Sequence, residues 1–144
     1  MSTLHEALGG TLLGIDHVGF AVSDLDQAII RWQNNFGFTV DHREINEEQG
    51  VEEVMLAVPG GQHIQLLASI DPESTIAKFI AKHGEGMQQL AFRVSSIEEA
   101  MTKVAATGMR LIYAEPRRGT AGSRINFIHP KDTGGILIEL VEPA

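Results

Sequence analysis

Cysteine is absent from the 144-residue chain. Disulfides, thiolate metal centres and cysteine nucleophiles are thereby excluded. Basic residues are scarce, 11 against 19 acidic ones, for a formal net charge of −8. A nucleic-acid binder needs a basic face to neutralise phosphates, so that class is set aside. No apolar run approaches the ~18 residues that cross a bilayer, and no membrane partner is expected. Residues 1–14 hold Glu6 but no Lys or Arg, unlike a signal peptide, and read as a short extension on a cytoplasmic protein. What remains, 43% hydrophobic and 21% charged residues, is the composition of one ordinary globular domain.

The chain repeats itself. Ile15-Asp16-His17-Val18-Gly19-Phe20-Ala21-Val22-Ser23 parallels Met87-Gln88-Gln89-Leu90-Ala91-Phe92-Arg93-Val94-Ser95 at an offset of 72 residues, from 17 to 89. Gly60-Gly61-Gln62-His63-Ile64-Gln65-Leu66-Leu67 parallels Gly134-Gly135-Ile136-Leu137-Ile138-Glu139-Leu140-Val141 at 74, from 65 to 139. Each copy opens on an alternating strand, with Ile15, His17, Gly19 and Ala21 on one face in the first. A capped helix follows, carrying the stripe Leu25, Ala28, Ile29, Trp32 in one copy and Ile97, Ala100, Met101, Val104 in the other. Strand-like runs come next at 38–46, 51–58 and 62–68, then at 110–114, 123–129 and 135–141. The pattern predicts an α+β fold of tandem βαβββ modules, 15–70 and 87–142, within one domain over 15–143. A short helix at 73–83 links the modules.

Four polar residues interrupt apolar strands at repeat-equivalent places: His17 with Gln89, and Gln65 with Glu139. A polar group in such a run costs a few kcal/mol if buried without a partner. Their pseudo-symmetry predicts convergence into one cavity, where an imidazole, two amide oxygens and a carboxylate can surround a divalent cation. A mid-strand polar residue on a solvated face is the plainer alternative for each taken alone.

At these residues the chain resembles the methylmalonyl-CoA epimerases, a family of the vicinal oxygen chelate (glyoxalase-like) superfamily. The stretches that carry the resemblance are Ile15-Asp16-His17-Val18, Asn46-Glu47-Glu48-Gln49-Gly50-Val51, Ser74-Thr75-Ile76-Ala77-Lys78-Phe79, Arg124-Ile125-Asn126-Phe127-Ile128-His129-Pro130-Lys131 and Gly135-Ile136-Leu137-Ile138-Glu139-Leu140. The resemblance implies a half-open barrel and a homodimer. It also implies a divalent metal ion, cobalt first, with manganese, magnesium, nickel or zinc as alternatives, held by His17, Gln65, Gln89 and Glu139. The family carries two histidines where this chain has Gln88-Gln89, so an amide oxygen, a harder and weaker donor, replaces an imidazole.

The implied substrate is a 2-substituted malonyl thioester of coenzyme A. Its α-proton is flanked by a thioester carbonyl and a carboxylate, so abstraction gives an enolate, and inversion needs reprotonation on the opposite face. Glu139 is one candidate proton carrier. The resemblance supplies Glu53 as the other; alternation turns it to the face opposite Glu52, where a solvated strand carboxylate is the alternative reading. Arg117, Arg118, Ser123 and Arg124 border a glycine-containing loop that can hold coenzyme A phosphates or serve as an ordinary hairpin loop. Two other functions fit the same fold: a glyoxalase-type metal-dependent lyase, and a metal-free protein that sequesters a small molecule. A dioxygenase is disfavoured, since the four positions supply one histidine rather than the two it needs.

Overall fold

Capping residues punctuate the chain at the places where the hydrophobic period changes. The computed structural model describes residues 2–144. Its first elements are α1 (Leu4–Leu8), β1 (Leu12–Ala21), α2 (Leu25–Phe36), β2 (Thr39–Asn46), β3 (Val51–Ala57), β4 (His63–Ser69) and α3 (Thr75–His83). They continue with β5 (Gly86–Val94), α4 (Ile97–Ala106), β6 (Arg117–Arg118), β7 (Arg124–Ile128) and β8 (Leu137–Glu142). The chain divides into two compact units, one of His17–Gln88 and one that joins residues 2–16 to Gln89–Ala144.

In the His17–Gln88 unit the strand order is β2-β3-β4-β1. β1 and β4 run parallel, whereas β3 is antiparallel to both β2 and β4. The Asp24 side chain accepts the Gln27 N–H and opens α2. Gly37, at φ 73°, closes it by donating its N–H to the Gln33 carbonyl. The buried stripe Leu25, Ala28 and Ile29 packs on Val22, Val54, Leu56, Leu66 and Ala68, with Phe20 and Trp32 at its margin. α3, capped by Ser74, places Ile76 against Ala21, Val51 and Leu67 on the other face of the sheet.

In the second unit the order is β5-β8-β7-β6, with β5 and β8 parallel. Ser96 caps α4 by accepting the Glu99 N–H. Ile97, Ala100 and Val104 pack on Val94, Ile128, Ile138 and Leu140. Leu8 lies fully buried in the same cluster. The first residues therefore do more than extend the chain. Thr3 and Glu6 form a reciprocal capping box for α1. The Lys103 ammonium donates to Thr11 Oγ1 at 3.0 Å, and the Ser95 N–H to the Thr11 carbonyl.

The expected strand at 110–114 is not a strand; it makes one isolated bridge, Leu111 to Ile128. The fully buried Asn126 is the reason. Its Oδ1 accepts the Tyr113 N–H at 3.1 Å and its Nδ2 donates to the Tyr113 carbonyl at 2.9 Å, so beyond the backbone bonds of Ile112 to Phe127 and His129 to Arg110 a side chain takes over from the ladder. The first of the three strands in this half is instead the two-residue β6, paired with β7 through Arg117–Ile125 and Arg118–Arg124.

Candidate active site

The register in the His17–Gln88 unit decides which residues share a face. Gly19 is opposite Gln65 and Ala21 opposite Leu67 across β1 and β4. Met55 is opposite Gln65 and Glu53 opposite Leu67 across β3 and β4. His17, Gln65 and Glu53 therefore project from the face that α2 leaves uncovered. They are 3%, 3% and 4% exposed. Burying three such groups is tolerable only with hydrogen-bond partners. One is direct: Gln65 Nε2 donates to Glu53 Oε2 at 3.2 Å. Glu44 is opposite Glu53 in the β2–β3 register, and its Oε1 lies 2.7 Å from His42 Nε2. Glu52 points the other way and accepts from the Arg43 guanidinium at 3.0 Å.

The second unit repeats the arrangement with other chemistry. Ala91 is opposite Glu139 across β5 and β8, and Phe127 opposite Glu139 across β7 and β8. Gln89 and Glu139 share the face that carries Ala91, Ile125, Phe127 and Val141, with Tyr113 and Leu137 beside them. They are 7% and 5% exposed. Val141 is the counterpart of Leu67, and its β7 partner is Ile125. An isoleucine thus stands in this half where Glu53 stands in the other.

The basic loop separates into two pairs of residues. Arg117 and Arg118 are exposed, and the Arg117 guanidinium carbon lies 4.5 Å from the Tyr113 ring centre. Arg124 is engaged within its own unit, paired with Glu98 and Glu142. Ser123 is buried. A Cβ on Gly119 would sit 2.5 Å from Ser123 Oγ and 2.6 Å from Ile125 Cγ2, so only glycine allows the loop this close an approach. The Glu98 carboxyl is held below its usual range by the Arg124 guanidinium hydrogen-bonded to it.

The donor chemistry fits a divalent cation only in part through charge. Among the described residues no three His, Asp or Glu side chains are grouped as a metal centre. Besides the imidazole of His17 in the one unit and the carboxylate of Glu139 in the other, the oxygen donors are the amides of Gln65 and Gln89. Such a mixed nitrogen and oxygen set suits borderline-to-hard divalent ions. In one unit the structure gathers His17, Gln65 and Glu53 on a single face; in the other it gathers Gln89 and Glu139.

The turn between β2 and β3 lies in one of the stretches that carry the resemblance, but sequence reasoning assigned none of its residues to the site. It contains Glu48 and is tightly held. The Gln49 N–H donates to Asn46 Oδ1, and the Gly50 carbonyl accepts the Ile70 N–H. Gly50 takes φ 69°, and a Cβ there would lie 3.0 Å from the Ser74 Cβ.

Residues 16–127 match the model of the glyoxalase/bleomycin resistance protein/dioxygenase superfamily, and the chain belongs to it. Within that superfamily it is similar to proteins named methylmalonyl-CoA epimerase. The crystal structure of the Mycobacterium tuberculosis enzyme is 54% identical, with a TM-score of 0.92 over 94% of this chain and 91% of that one. The Streptomyces coelicolor enzyme, solved with 2-nitronate-propionyl-CoA, is 42% identical, with a TM-score of 0.88 over 92% of this chain and 99% of that one. Its solved variants replace a glutamine by alanine, a glutamate by glutamine and a serine by threonine. The ethylmalonyl-CoA/methylmalonyl-CoA epimerase of Cereibacter sphaeroides is 31% identical over 128 residues, 88% of this chain and 95% of its own length.

Proposed function

We propose that this chain interconverts the (2R) and (2S) epimers of methylmalonyl-CoA. The observation that carries this reading is a shared register. In the Streptomyces enzyme the altered glutamate and glutamine stand seventeen positions apart, and the altered serine stands fifty-five beyond the glutamine. Counted from Gln65, the same steps reach Glu48 and Thr120. A glutamate, a glutamine and a hydroxyl side chain recur at one common offset, which makes buried Gln65 the counterpart of that glutamine.

The reaction needs one proton removed from the carbon between the thioester and the carboxylate, and one returned to the opposite face. One fixed carboxylate cannot reach both faces, so two carriers exchange roles with direction. Glu139 is one. The shared register supports Glu48 as the other, ahead of Glu53. Glu48 sits in an exposed turn where it can exchange its proton with water, while Glu53 is tied to Gln65. His17, Gln65, Gln89 and Glu139 are the residues that would hold a divalent cation, cobalt first, with manganese, magnesium, nickel or zinc as alternatives. Bound there, it supplies Lewis-acid stabilisation of the enolate charge. Arg117 and Arg118 are the exposed cations for coenzyme A phosphates, with Ser123 and Arg124 shaping the loop that carries them. A homodimer is part of the same reading, and light scattering should find twice the chain mass.

Proton NMR of methylmalonyl-CoA in D₂O, with the protein and each metal in turn, tests the function. The C2 proton should exchange while both epimers appear. Loss of neither signal with any of the five metals overturns it.

A further inference from the structure

We infer that Glu53 is a positioning residue that orients the Gln65 amide. The inference rests on the reading of Gln65 as a cation ligand. A glutamine amide has two ends of nearly equal shape, and only the oxygen coordinates a cation. An ionised carboxylate only accepts hydrogen bonds. The contact from Gln65 Nε2 to Glu53 Oε2, at 3.2 Å, therefore pins the NH₂ end and leaves Oε1 as the end turned away from Glu53. The flipped amide would set two oxygens against each other at a site where both residues are buried.

The second unit supplies an independent observation. The residue at Glu53's place there is Ile125, and the ligand beside it is Glu139. A carboxylate has two equivalent oxygens, so it presents an acceptor whichever way it turns and needs no orienting neighbour. The carboxylate of β3 thus accompanies the amide, and the isoleucine of β7 accompanies the acid. Nothing in the repeat alone requires that coupling; amide chemistry does.

Titration of the metal-free full chain with Co²⁺, followed by calorimetry and by cobalt absorption, tests the inference. Glu53→Ile should weaken cobalt binding by about 10–100-fold, the usual effect of losing a group that orients a ligand. Adding Gln65→Glu to Glu53→Ile copies the Ile125–Glu139 arrangement and should restore most of the affinity. Glu53→Gln keeps the shape of the side chain. It should cost a few-fold in affinity in the parent and nothing further in a Gln65→Leu background. If the parent binds cobalt and Glu53→Ile binds it equally well, or if the Glu53→Gln loss persists without Gln65, the inference fails while the metal reading stands. If the parent binds none of the five metals, both fail together; if it binds another of them in place of cobalt, the same variants and the same outcomes apply to that ion.

Discussion

Two glutamates, Glu48 in an exposed turn and Glu53 buried against Gln65, have different work in the proposed reaction, and their substitution separates the roles. Glu48→Gln should retain cobalt binding and lower epimerisation by about 10²–10⁴-fold, the scale of one placed acid or base. It should still wash deuterium into one pure epimer through Glu139. Equal loss of exchange on both epimers would show that Glu48 serves more than one face. Glu53→Gln should instead move metal affinity more than turnover at saturating cobalt. Gln89 offers a second residue-scale prediction. Imidazole is the better donor for cobalt and zinc, so Gln89→His should tighten both, by calorimetry, and Gln89→Leu should weaken them. A Leu variant that binds like the parent removes Gln89 from the ligand set.

Elements were legible in the sequence wherever a period ran for three turns or a strand alternated cleanly. The helices α2 and α4, with their Asp24 and Ser96 caps, are of this kind, and so is α3, although it starts at Thr75 behind a Ser74 cap and not at 73. So are β1, β3 and β4. α1 has five residues, too few for a stripe, although its Thr3-to-Glu6 capping box was there to be read. The 110–114 run alternates like a strand, yet Asn126 takes the Tyr113 backbone by side-chain bonds, a competition invisible to hydrophobic pattern. The four buried polar residues were visible because the repeat matched them in pairs. Glu53's tie to Gln65 was not, since a strand carboxylate does not declare its partner, and Glu48 lies in a turn without period. The segment after α4 also carries a pH dependence. Asp132 accepts from Arg110 through both carboxylate oxygens, which lowers its pKa from 3.8 to about 2. A depressed carboxylate pKa stabilises the fold above the unfolded value, and that contribution disappears as the pH falls from near 4 through 2. Asp132→Asn should therefore flatten the acid limb of the thermal-midpoint profile between pH 4 and 2. A limb as steep as the parent's would place the effect elsewhere.

On the scale of the whole molecule, a net charge of −8 opposes the approach of an anionic thioester, and Arg117 and Arg118 are a local exception. Changing both to glutamine should raise KM for acyl-CoA about tenfold at ~10 mM salt, on the order of 1.4 kcal/mol, with kcat held. The rise should shrink at ~150 mM, where the screening length falls from ~30 Å to ~8 Å. An unchanged KM at low salt would remove the loop from coenzyme A recognition. The division of the chain has its own consequence. His17–Gln88 is continuous, whereas residues 2–16 belong with Gln89–Ala144. During synthesis the partners of Leu8, Thr11 and Asp16, among them Val94, Ser95, Lys103 and Arg93, emerge only after the intervening segment has been made. At about 5–20 residues per second that delay is roughly 4–14 s. For that time residues 2–16 are without the partners that complete their unit, and the continuous unit has the opportunity to fold before them.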